Sequence, residues 1–534
     1  MTSTPSSRHD ANLFSALRAE FPADLDAIAV ETADAGIGSA FHTAPLHYTW
    51  RDLDRGTAML ANLLASLDLP VGSRVAVQIE KSVEALMLYL AVLRAGLVYL
   101  PLNPAYQQGE IAYFIGNAEP AVVVCAPKNF SWVSRLAFAA GTTHVFTLGD
   151  DRNGSLLQRA ATHSDSHTPA VRAADDLCAI LYTSGTTGVA KGAMLSHGNL
   201  LSNAQVLKAY WGWRTPAEGG DVLIHALPIF HVHGLFVASH GALLAGAKMI
   251  WLNRFEPKTV VAKLPEATVF MGVPTLYGRL LAEPALTRAA CANMRLFVSG
   301  SAPLLLETFT LFGERTGHAI LERYGMSETA MLTSNPYRSA EGDRRGGTVG
   351  FPLPGVGVRV AGDGGTRCAT DAIGNIEVTG PNVFKGYWRM PEKSAEEFTA
   401  DGWFKTGDVG KIDAEGYVTI VGRSRDLIIS GGFNVYPAEI EGTLNDMPGV
   451  AESAVIGVPH ADFGEVVVAV VVARPDSAPD ANTWAAELIV ELKSRIANFK
   501  VPKRVFIVAE LPRNAMGKVQ KNLLRETYKN LFTA

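Results

Sequence analysis

Cysteine is scarce in this sequence of 534 residues, and the four thiols lie far apart, with no C-x-x-C pair among them: Cys125, Cys178, Cys291 and Cys368. This spacing argues against a disulfide framework and against a cysteine-rich metal site, so we expect reduced thiols. Basic residues are not in excess either, since 47 Lys and Arg stand against 52 Asp and Glu, a net charge of −5. The charge balance therefore gives no reason to expect a nucleic-acid partner.

Long uninterrupted apolar runs are also missing. The most apolar stretch, residues 85–102, contains Arg94 together with glycine and proline, so it suits a buried helix and strand better than a membrane span. The N-terminus is polar and has no apolar core of the signal-peptide kind. With 48% hydrophobic residues, the sequence predicts a large cytosolic enzyme of two to four domains without a membrane span.

Strand-like and helical segments alternate over roughly the first 400 residues. The first such series runs through residues 75–79, 83–95, 98–102, 108–115 and 121–125. The same alternation returns between residues 221 and 299. Strand and helix in alternation are typical of βαβ units, so the sequence predicts two α/β sheets with parallel strands.

The pattern changes towards the C-terminus. Residues 348–420 carry short strand patterns between glycine turns and predict a small β-rich subdomain. Valine-rich runs and an amphipathic helix over 483–497 follow and predict a separate α+β unit. We therefore expect an α/β protein with a large N-terminal domain over 1–422, a charged hinge at 423–426 and a smaller, mobile α+β C-terminal domain over 427–534.

The segment YTSGTTGVAK, residues 182–191, follows an apolar run and is rich in hydroxyls and glycine. Glycine lets backbone N–H groups converge, hydroxyls add donors and Lys191 adds one positive charge, a combination that suits phosphate oxygens. Lys191 follows Gly188 by three positions, so the segment is not a Walker A loop. A polar surface linker is the alternative interpretation.

Four further segments carry reactive side chains. Residues 324–329 combine an aromatic ring, glycine, hydroxyls and a carboxylate of the kind that binds Mg²⁺. Asp408 could accept hydrogen bonds from ribose hydroxyls, and Arg423 could hold a ribose oxygen or a phosphate. Lys518 follows a glycine turn near the C-terminus. Taken singly, each has a plain explanation as a cap, a turn or a solvated surface charge.

Taken in order, these segments resemble the adenylate-forming superfamily of acyl- and aryl-CoA synthetases, adenylation domains and firefly-type luciferases. The resemblance extends from about Leu53 to the last predicted helix. The matching segments are residues 183–191, 299–303, 324–328, 406–408, 422–432 and 512–521.

The resemblance implies an ATP-dependent acid–CoA ligase that makes an acyl-AMP and pyrophosphate and then transfers the acyl group to coenzyme A. It implies ATP and CoA as co-substrates and Mg²⁺ held by Glu328. The residues implied to bind ATP and AMP are Thr183, Ser184, Gly185, Thr186, Thr187, Gly188, Lys191, Ser301, Ala302, Pro303, Glu322, Arg323, Tyr324, Gly325, Ser327, Asp408 and Arg423.

Catalysis of the first step is implied to rest on Lys518, because a cation is needed where a carboxylate attacks the α-phosphorus. A general base is unnecessary, since a carboxylate is already ionised at neutral pH. The C-terminal domain is then implied to rotate about Arg425, which replaces Lys518 by Ser430, Gly431 and Gly432, the lining of a CoA tunnel. Many relatives carry Asp or Lys at the hinge, so Arg425 is a departure.

Three alternatives are weaker. Peptide-synthetase adenylation domains typically place an Asp after a Phe to hold the substrate amino group, but here His231 follows Phe230. A luciferase would need oxygen chemistry that no motif demands. A nucleotide-binding protein without ligase activity would be credible only if Lys518 or Glu328 were missing, and both are present.

The acid is harder to predict. His231 matches the gate that relatives place beside the acyl carbonyl, although a structural histidine is an equal alternative. Arg279 lies in a segment that forms the acyl-pocket wall in the family and could grip a second carboxylate; a surface pair with Glu283 is the alternative. Together with residues 228–236, this segment resembles malonyl-CoA synthetases. We therefore predict malonate, with methylmalonate as a further candidate and another short-chain, medium-chain or aryl acid as the alternative.

Overall fold

The computed structural model describes residues 10–33, 45–183, 190–430, 433–460, 462–475, 481–514 and 517–532. Its α-helices in chain order are α1 (Leu13–Ala19), α2 (Trp50–Ala65), α3 (Val83–Arg94), α4 (Gln108–Ala118), α5 (Phe130–Ala139), α6 (Ser155–Ala160), α7 (His197–Tyr210), α8 (His240–Ala245), α9 (Pro257–Lys263), α10 (Pro274–Leu281), α11 (Leu306–Thr316), α12 (Pro391–Glu396), α13 (Pro437–Asn445), α14 (Ala481–Arg495) and α15 (Lys521–Tyr528).

The strands in chain order are β1 (Ile28–Thr32), β2 (His47–Thr49), β3 (Arg74–Gln78), β4 (Val98–Pro101), β5 (Val122–Cys125), β6 (His144–Thr147), β7 (Leu177–Thr183), β8 (Lys191–Ser196), β9 (Val222–His225), β10 (Lys248–Trp251), β11 (Val269–Gly272), β12 (Leu296–Ser299), β13 (Leu321–Met326), β14 (Ala330–Ser334), β15 (Phe351–Pro352), β16 (Gly357–Ala361), β17 (Gly374–Thr379), β18 (Phe404–Ile412), β19 (Val418–Arg423), β20 (Ile428–Ser430), β21 (Phe433–Val435), β22 (Val450–His460), β23 (Gly464–Ala473) and β24 (Arg504–Val508).

The first α/β sheet has the order β6-β5-β3-β4-β7-β8 and is parallel except for the β7–β8 pair. Helix α3 connects β3 to β4, and all of its residues are buried. The Ser82 side chain caps its first turn by accepting a hydrogen bond from the Ala85 N–H. Burial on every side explains why residues 85–102 are mostly apolar, as predicted for a buried helix and strand, with Arg94 as the one charged side chain.

The second sheet has the order β15-β14-β13-β12-β11-β9-β10-β1-β2, with a parallel centre from β13 to β1. Between β9 and β10 the chain forms a π-helical turn over His233–Ser239 that continues into α8. Gly234 is required there, because a Cβ at this position would lie 2.1 Å from the Pro228 carbonyl oxygen.

The remaining strands form two smaller sheets. Antiparallel strands β16, β17, β18 and β19 form the predicted β-rich unit. In the last sheet the long β22–β23 hairpin lies centrally, with β20 and β24 also pairing β23. Alternate residues of β22 and β23 enter two apolar clusters, one with α14 and one with α15. Burial on both faces explains the valine-rich runs. The predicted α/β fold class is confirmed.

The cysteines are reduced, as predicted: all four are free thiols, and Cys125, Cys178 and Cys291 are buried. Across the part of the chain that the structure describes, no helix combines the length and the apolar character needed to cross a bilayer.

A buried ion pair stabilises the second sheet beside β9. Arg295 donates through Nε to Asp221 Oδ1 at 2.8 Å and through Nη2 to Oδ2 at 2.5 Å. Asp221, whose side chain is wholly buried, also accepts hydrogen bonds from the Arg214 N–H and the Thr268 hydroxyl. The charge of the buried Asp221 carboxylate is therefore balanced only while Arg295 is present.

Replacement of Arg295 by Met is expected to lower the free energy of unfolding by about 3–5 kcal/mol, because it leaves the Asp221 carboxylate buried without its cation. Denaturant-induced unfolding measures the loss. Arg389→Met is the matched control, since the Arg389–Glu119 pair is about half exposed and should contribute less than about 1 kcal/mol. Equal losses in the two variants would contradict the expectation.

Candidate active site

The candidate site lies where the ends of β12 and β13 meet the β18–β19 hairpin. Strands β12 and β13 are parallel neighbours, with Ser299 paired to Glu322, so the segments after Ser299 and within β13 converge at one sheet edge. In the hairpin, Asp408 and Arg423 are direct cross-strand partners. The fold thus brings together motifs that are about a hundred residues apart in sequence.

Asp408 is the centre of a polar chain at this edge. Its Oδ1 pairs with Arg423 Nε at 2.8 Å, and its Oδ2 accepts the Tyr324 hydroxyl hydrogen bond. Burial, and then the Asp408 charge, raise the pKa of Tyr324 well above its ordinary value, so this phenol stays protonated and donates. Two of the predicted ribose-binding side chains, Asp408 and Arg423, therefore lie in contact beside the predicted adenine-binding tyrosine.

Glu328 follows Tyr324 by four positions and is only 5% exposed. Its Oε1 accepts a hydrogen bond from the Tyr387 hydroxyl at 3.0 Å. Burial raises the pKa of Glu328, while the Tyr387 hydrogen bond opposes that rise. The ammonium of Lys191 is 4.3 Å from the centre of the Tyr387 ring and pairs with Glu397 at 3.1 Å. Tyr387 and Glu397 were not foreseen from the sequence.

Lys518 extends from the C-terminal unit into the cleft, on a turn where Asn514 Oδ1 accepts the Lys518 N–H at 3.0 Å. The side chain remains open to solvent within the cleft. The pKa of Lys518 is lowered to about 8, chiefly by burial among the surrounding protein groups; Arg423 contributes to this lowering, and Asp408 acts in the opposite direction. Water in the open cleft moderates the effect of these surroundings. Lys518 therefore faces the same charged groups that β13, β18 and β19 bring together.

The segment after β12 has a strained backbone, since Ser301 adopts φ of 75°. Ala302 and Pro303 follow it at the sheet edge, where both are partly or fully accessible. In the β13–β14 hairpin, a Cβ at Gly325 would lie 2.0 Å from the Ala330 carbonyl oxygen, so glycine is required. Ser327 is partly exposed in the same hairpin.

A cavity of about 410 Å³ lies beside this cleft and is lined by residues of both units, among them Lys81, Phe230, His231, His233, Arg254, Phe255, Thr275 and Gly517. Burial, with a smaller contribution from Lys518, lowers the pKa of His231 to about 3, so its imidazole is neutral. The Nε2 atoms of His231 and His233 have no hydrogen-bond partner among the described residues. Gly517 has φ of 73°, and a Cβ there would lie 3.2 Å from Thr275 Oγ1, so the Lys518 turn closely approaches the start of α10.

Arg279 does not line this cavity. It is exposed on α10, and its guanidinium lies 4.9 Å from the centre of the Phe255 ring, which does line the cavity. Arg254 and Lys81 line the cavity directly but were missed in the sequence, because neither lies in a recognisable motif. The Lys81 ammonium donates to the carbonyl oxygens of His225 and Leu252 at 2.8 and 2.7 Å.

Three other predicted site residues lie on β7, on β20 and in the turn that precedes β20. Thr183 pairs with Lys191 across the β7–β8 ladder. Ser430 is buried at the end of β20, and Arg425 is exposed in the turn between β19 and β20. Those that lie outside the described residues are Ser184, Gly185, Thr186, Thr187, Gly188, Gly431 and Gly432. Within the described ranges, no group of three His, Cys, Asp or Glu side chains could hold a metal ion.

Fold and site together define an AMP-binding enzyme. The family described as AMP-binding enzyme matches residues 30–388, and the AMP-binding enzyme C-terminal domain matches residues 439–518. The chain belongs to this family. Tyr324, Glu328 and Lys191 fall within the first match and Lys518 within the second.

Individual relatives are known by activity. The chain is 34% identical to a malonate–CoA ligase of Arabidopsis thaliana, over 86% of this chain and 78% of that protein. It is 35% identical to a feruloyl-CoA synthase of an Amycolatopsis species, over 90% of this chain and 94% of that protein. Two relatives of nearly equal identity thus carry names for different acids.

Solved structures agree with the fold. The ATP-bound MatB from Rhodopseudomonas palustris is 53% identical, with a TM-score of 0.92 over 98% of this chain and all of that one. The apo form of the same MatB gives a TM-score of 0.81. The arrangement of the present chain, with Lys518 in the cleft, is therefore closer to the ATP-bound form.

Replacement of Tyr387 by Phe is expected to cost about 1–3 kcal/mol of unfolding free energy, since the buried Glu328 loses a donor. Because the pKa of Glu328 is raised in the folded state, its protonated form contributes stability at low pH. This contribution is lost as the pH rises through that pKa. Because the variant raises this pKa further, the loss should be larger at pH 8 than at pH 5. Chemical denaturation at the two pH values measures it.

Tyr113→Phe is the control for this comparison, because the Tyr113 hydroxyl donates at 2.7 Å to the Ala190 carbonyl oxygen, which does not titrate. Its loss should be the same at both pH values. A loss in Tyr387→Phe that does not change with pH would contradict the coupling to Glu328.

Proposed function

We propose that this chain is an ATP-dependent malonate–CoA ligase. In the first step a malonate carboxylate attacks the α-phosphorus of ATP, which forms malonyl-AMP and releases pyrophosphate. In the second step the CoA thiol attacks the acyl carbonyl and AMP leaves. The observation that carries the proposal is the position of Lys518, which lies between the Asp408–Arg423 pair and the acid cavity.

The nucleotide would lie along the converging strand ends. Asp408 accepts hydrogen bonds from ribose hydroxyls, and Arg423 holds the Asp408 carboxylate in place. The segments 301–303 and 322–325 border adenine, with the Tyr324 ring as a stacking face. Ser327 donates to the α-phosphate, while Thr183, the following loop and Lys191 hold the β- and γ-phosphates. Pyrophosphate binding would draw Lys191 from Glu397 to the phosphate oxygens.

Lys518 supplies the cation at the reacting centre. Its ammonium reduces repulsion between the carboxylate and the phosphate and stabilises the charge that spreads over the phosphoryl oxygens. Mg²⁺ would be held by the Glu328 carboxylate, because this group is a hard oxygen ligand of the kind that the ion prefers. When bound, Mg²⁺ would neutralise phosphate charge. His231, neutral and adjacent to the cavity, orients the reacting carboxylate without competing as a base.

The second step needs a different partner at the reacting centre. Lys518 is useful only while the α-phosphorus is attacked, so the C-terminal unit would turn about Arg425 and bring residues 430–432 to the site as the lining of a CoA tunnel. The exposed position of Arg425 in a three-residue turn supports this hinge, because a turn can change its dihedral angles without disturbing packing.

Malonate is favoured by the size and charge of the cavity. Its volume of about 410 Å³ is shared with the reacting groups. The cations Lys81 and Arg254 line it together with Glu80, whose carboxylate pairs with Lys128 at 3.3 Å. Arg279 remains our candidate for the second carboxylate, reached past the Phe255 ring on which it lies. The malonate–CoA ligase relative supports the same acid, whereas the feruloyl-CoA synthase keeps aryl acids as the competing candidate.

A thiol-dependent AMP-release assay over malonate, methylmalonate, acetate, octanoate and 4-coumarate tests the acid. We expect the highest kcat/KM with malonate and a lower value with methylmalonate, because the cationic cavity favours a dianion. Omission of CoA should stop turnover after one equivalent of pyrophosphate. A monocarboxylate that clearly exceeds malonate would refute the assignment of the acid, and absence of AMP release with every acid would refute ligase activity.

Replacement of Lys518 by Ala is expected to reduce malonyl-AMP formation by at least about a hundredfold, because the cation at the α-phosphorus is lost. Thioester formation from supplied malonyl-AMP should change by less than about threefold, since Lys518 has no role there. Lys529→Ala, which removes an exposed lysine of the same unit paired with Glu526, is the control. Equal loss of both half-reactions would contradict separate roles for the two arrangements.

A further inference from the structure

Arg323 on β13 is one of the largest fully buried side chains of the protein, at 2% exposure. Its guanidinium lies against the backbone of Gly300, where a Cβ would come within 2.6 Å of Cζ. Glycine at position 300 is therefore what leaves room for the guanidinium. Adjacent side chains of a strand point to opposite faces, so Arg323 points away from Tyr324 and the Asp408 group that Tyr324 contacts.

The charge of Arg323 is not neutralised within the described residues. No carboxylate there lies within ion-pair distance of it, and its Nε and Nη2 atoms have no hydrogen-bond partner. Glu322 is adjacent in sequence, but its Oε1 accepts the Leu304 N–H at 3.0 Å on the opposite face of the strand. Burial lowers the pKa of Arg323 only to about 9, so the guanidinium is cationic at neutral pH.

The wall of the acid cavity lies next to this guanidinium. His233 lines the cavity, and its Nδ1 is 3.4 Å from the hydroxyl of Ser301, the residue after Gly300. Burial, and then the Arg323 charge, hold the pKa of His233 well below its ordinary value, so the imidazole stays neutral. Arg323 also contributes to the lowered pKa of Lys518 at the reacting centre. A neutral histidine therefore separates a buried cation from the cavity.

We propose that Arg323 is a specificity-determining residue that favours acids with a second carboxylate. In a low-dielectric interior a charge acts over a longer distance than in water, so the guanidinium places positive potential across the cavity without touching the substrate. A dianion gains from this potential more than a monoanion of the same size. The inference rests on the proposed ligase function and adds Arg323 to the cations already named at the cavity, which are Lys81, Arg254 and Arg279. It also separates the Arg323 side chain from the adenine-binding role implied for its segment.

The test compares kcat/KM for malonate and for butyrate, in which an ethyl group replaces the second carboxylate. Arg323→Met keeps the approximate length of the side chain and removes its charge, and we expect the malonate-to-butyrate ratio to fall at least tenfold, mainly through malonate. Arg323→Lys keeps the charge and should hold the ratio within about threefold. Arg338→Met, which removes an exposed arginine paired with Glu341, should leave the ratio unchanged.

Thermal unfolding and ATP binding verify that each variant is folded, and Arg323→Gln is a second neutral variant should the Met variant not fold. An unchanged ratio in a folded, ATP-binding neutral variant would overturn the inference, as would equal loss with both acids, which is the result of a purely structural role. If the wild-type enzyme itself prefers butyrate, the proposed malonate function fails, and that outcome is visible before any variant is measured.

Discussion

The Asp408–Arg423 pair is the interaction on which the candidate site depends. It joins two neighbouring strands at their cross-strand positions, and the hydroxyl of Tyr324 ties the carboxylate to the edge of a second sheet. A single carboxylate thereby fixes the β-rich unit against the nine-stranded sheet. Both of its oxygens are already engaged, so its position is set by the protein before a nucleotide arrives, which reduces the ordering needed on binding.

The same edge explains why charged residues cluster without neutralising one another completely. Carboxylates and cations alternate from Glu328 past Asp408 to Lys518, each on a different segment. Burial lowers the pKa of Lys518 to about 8 and raises that of Glu328, and the neighbouring charges modify both shifts. Perturbed groups in one cleft are characteristic of catalytic sites. Here the perturbation comes from bringing separate strands together, not from any one motif.

Much of the fold could be predicted, because burial leaves a direct record in the sequence. Segments covered on all sides are mostly apolar, as in α3, and strands buried on both faces are valine-rich, as in β22 and β23. The glycine-rich segment 183–191, the segment 324–328 with Tyr324 and Glu328, and the segment 512–521 with Lys518 could be recognised equally well by their order along the chain. These features are local, so hydrophobic pattern and turn chemistry specify them.

The parts that could not be predicted depend on contacts between distant residues. Tyr387 meets Glu328 across 59 positions and Lys191 meets Glu397 across 206, and no spacing rule connects such pairs. The motif that contains Arg323 does not reveal which face of the strand this side chain occupies. Arg254 lines the cavity although its sequence neighbours suggest nothing about an acid.

The two apolar clusters on either face of the β22–β23 hairpin have a mechanical consequence. The last sheet and the helices packed on it have their own apolar core, so this unit could reorient as a rigid body without exposing that core. What holds it in place includes contacts such as that between Arg474 and Glu307, both about two-fifths exposed, and such pairs contribute at most about 1 kcal/mol. Because such a pair is weak, it would oppose the rotation proposed for the second step only slightly.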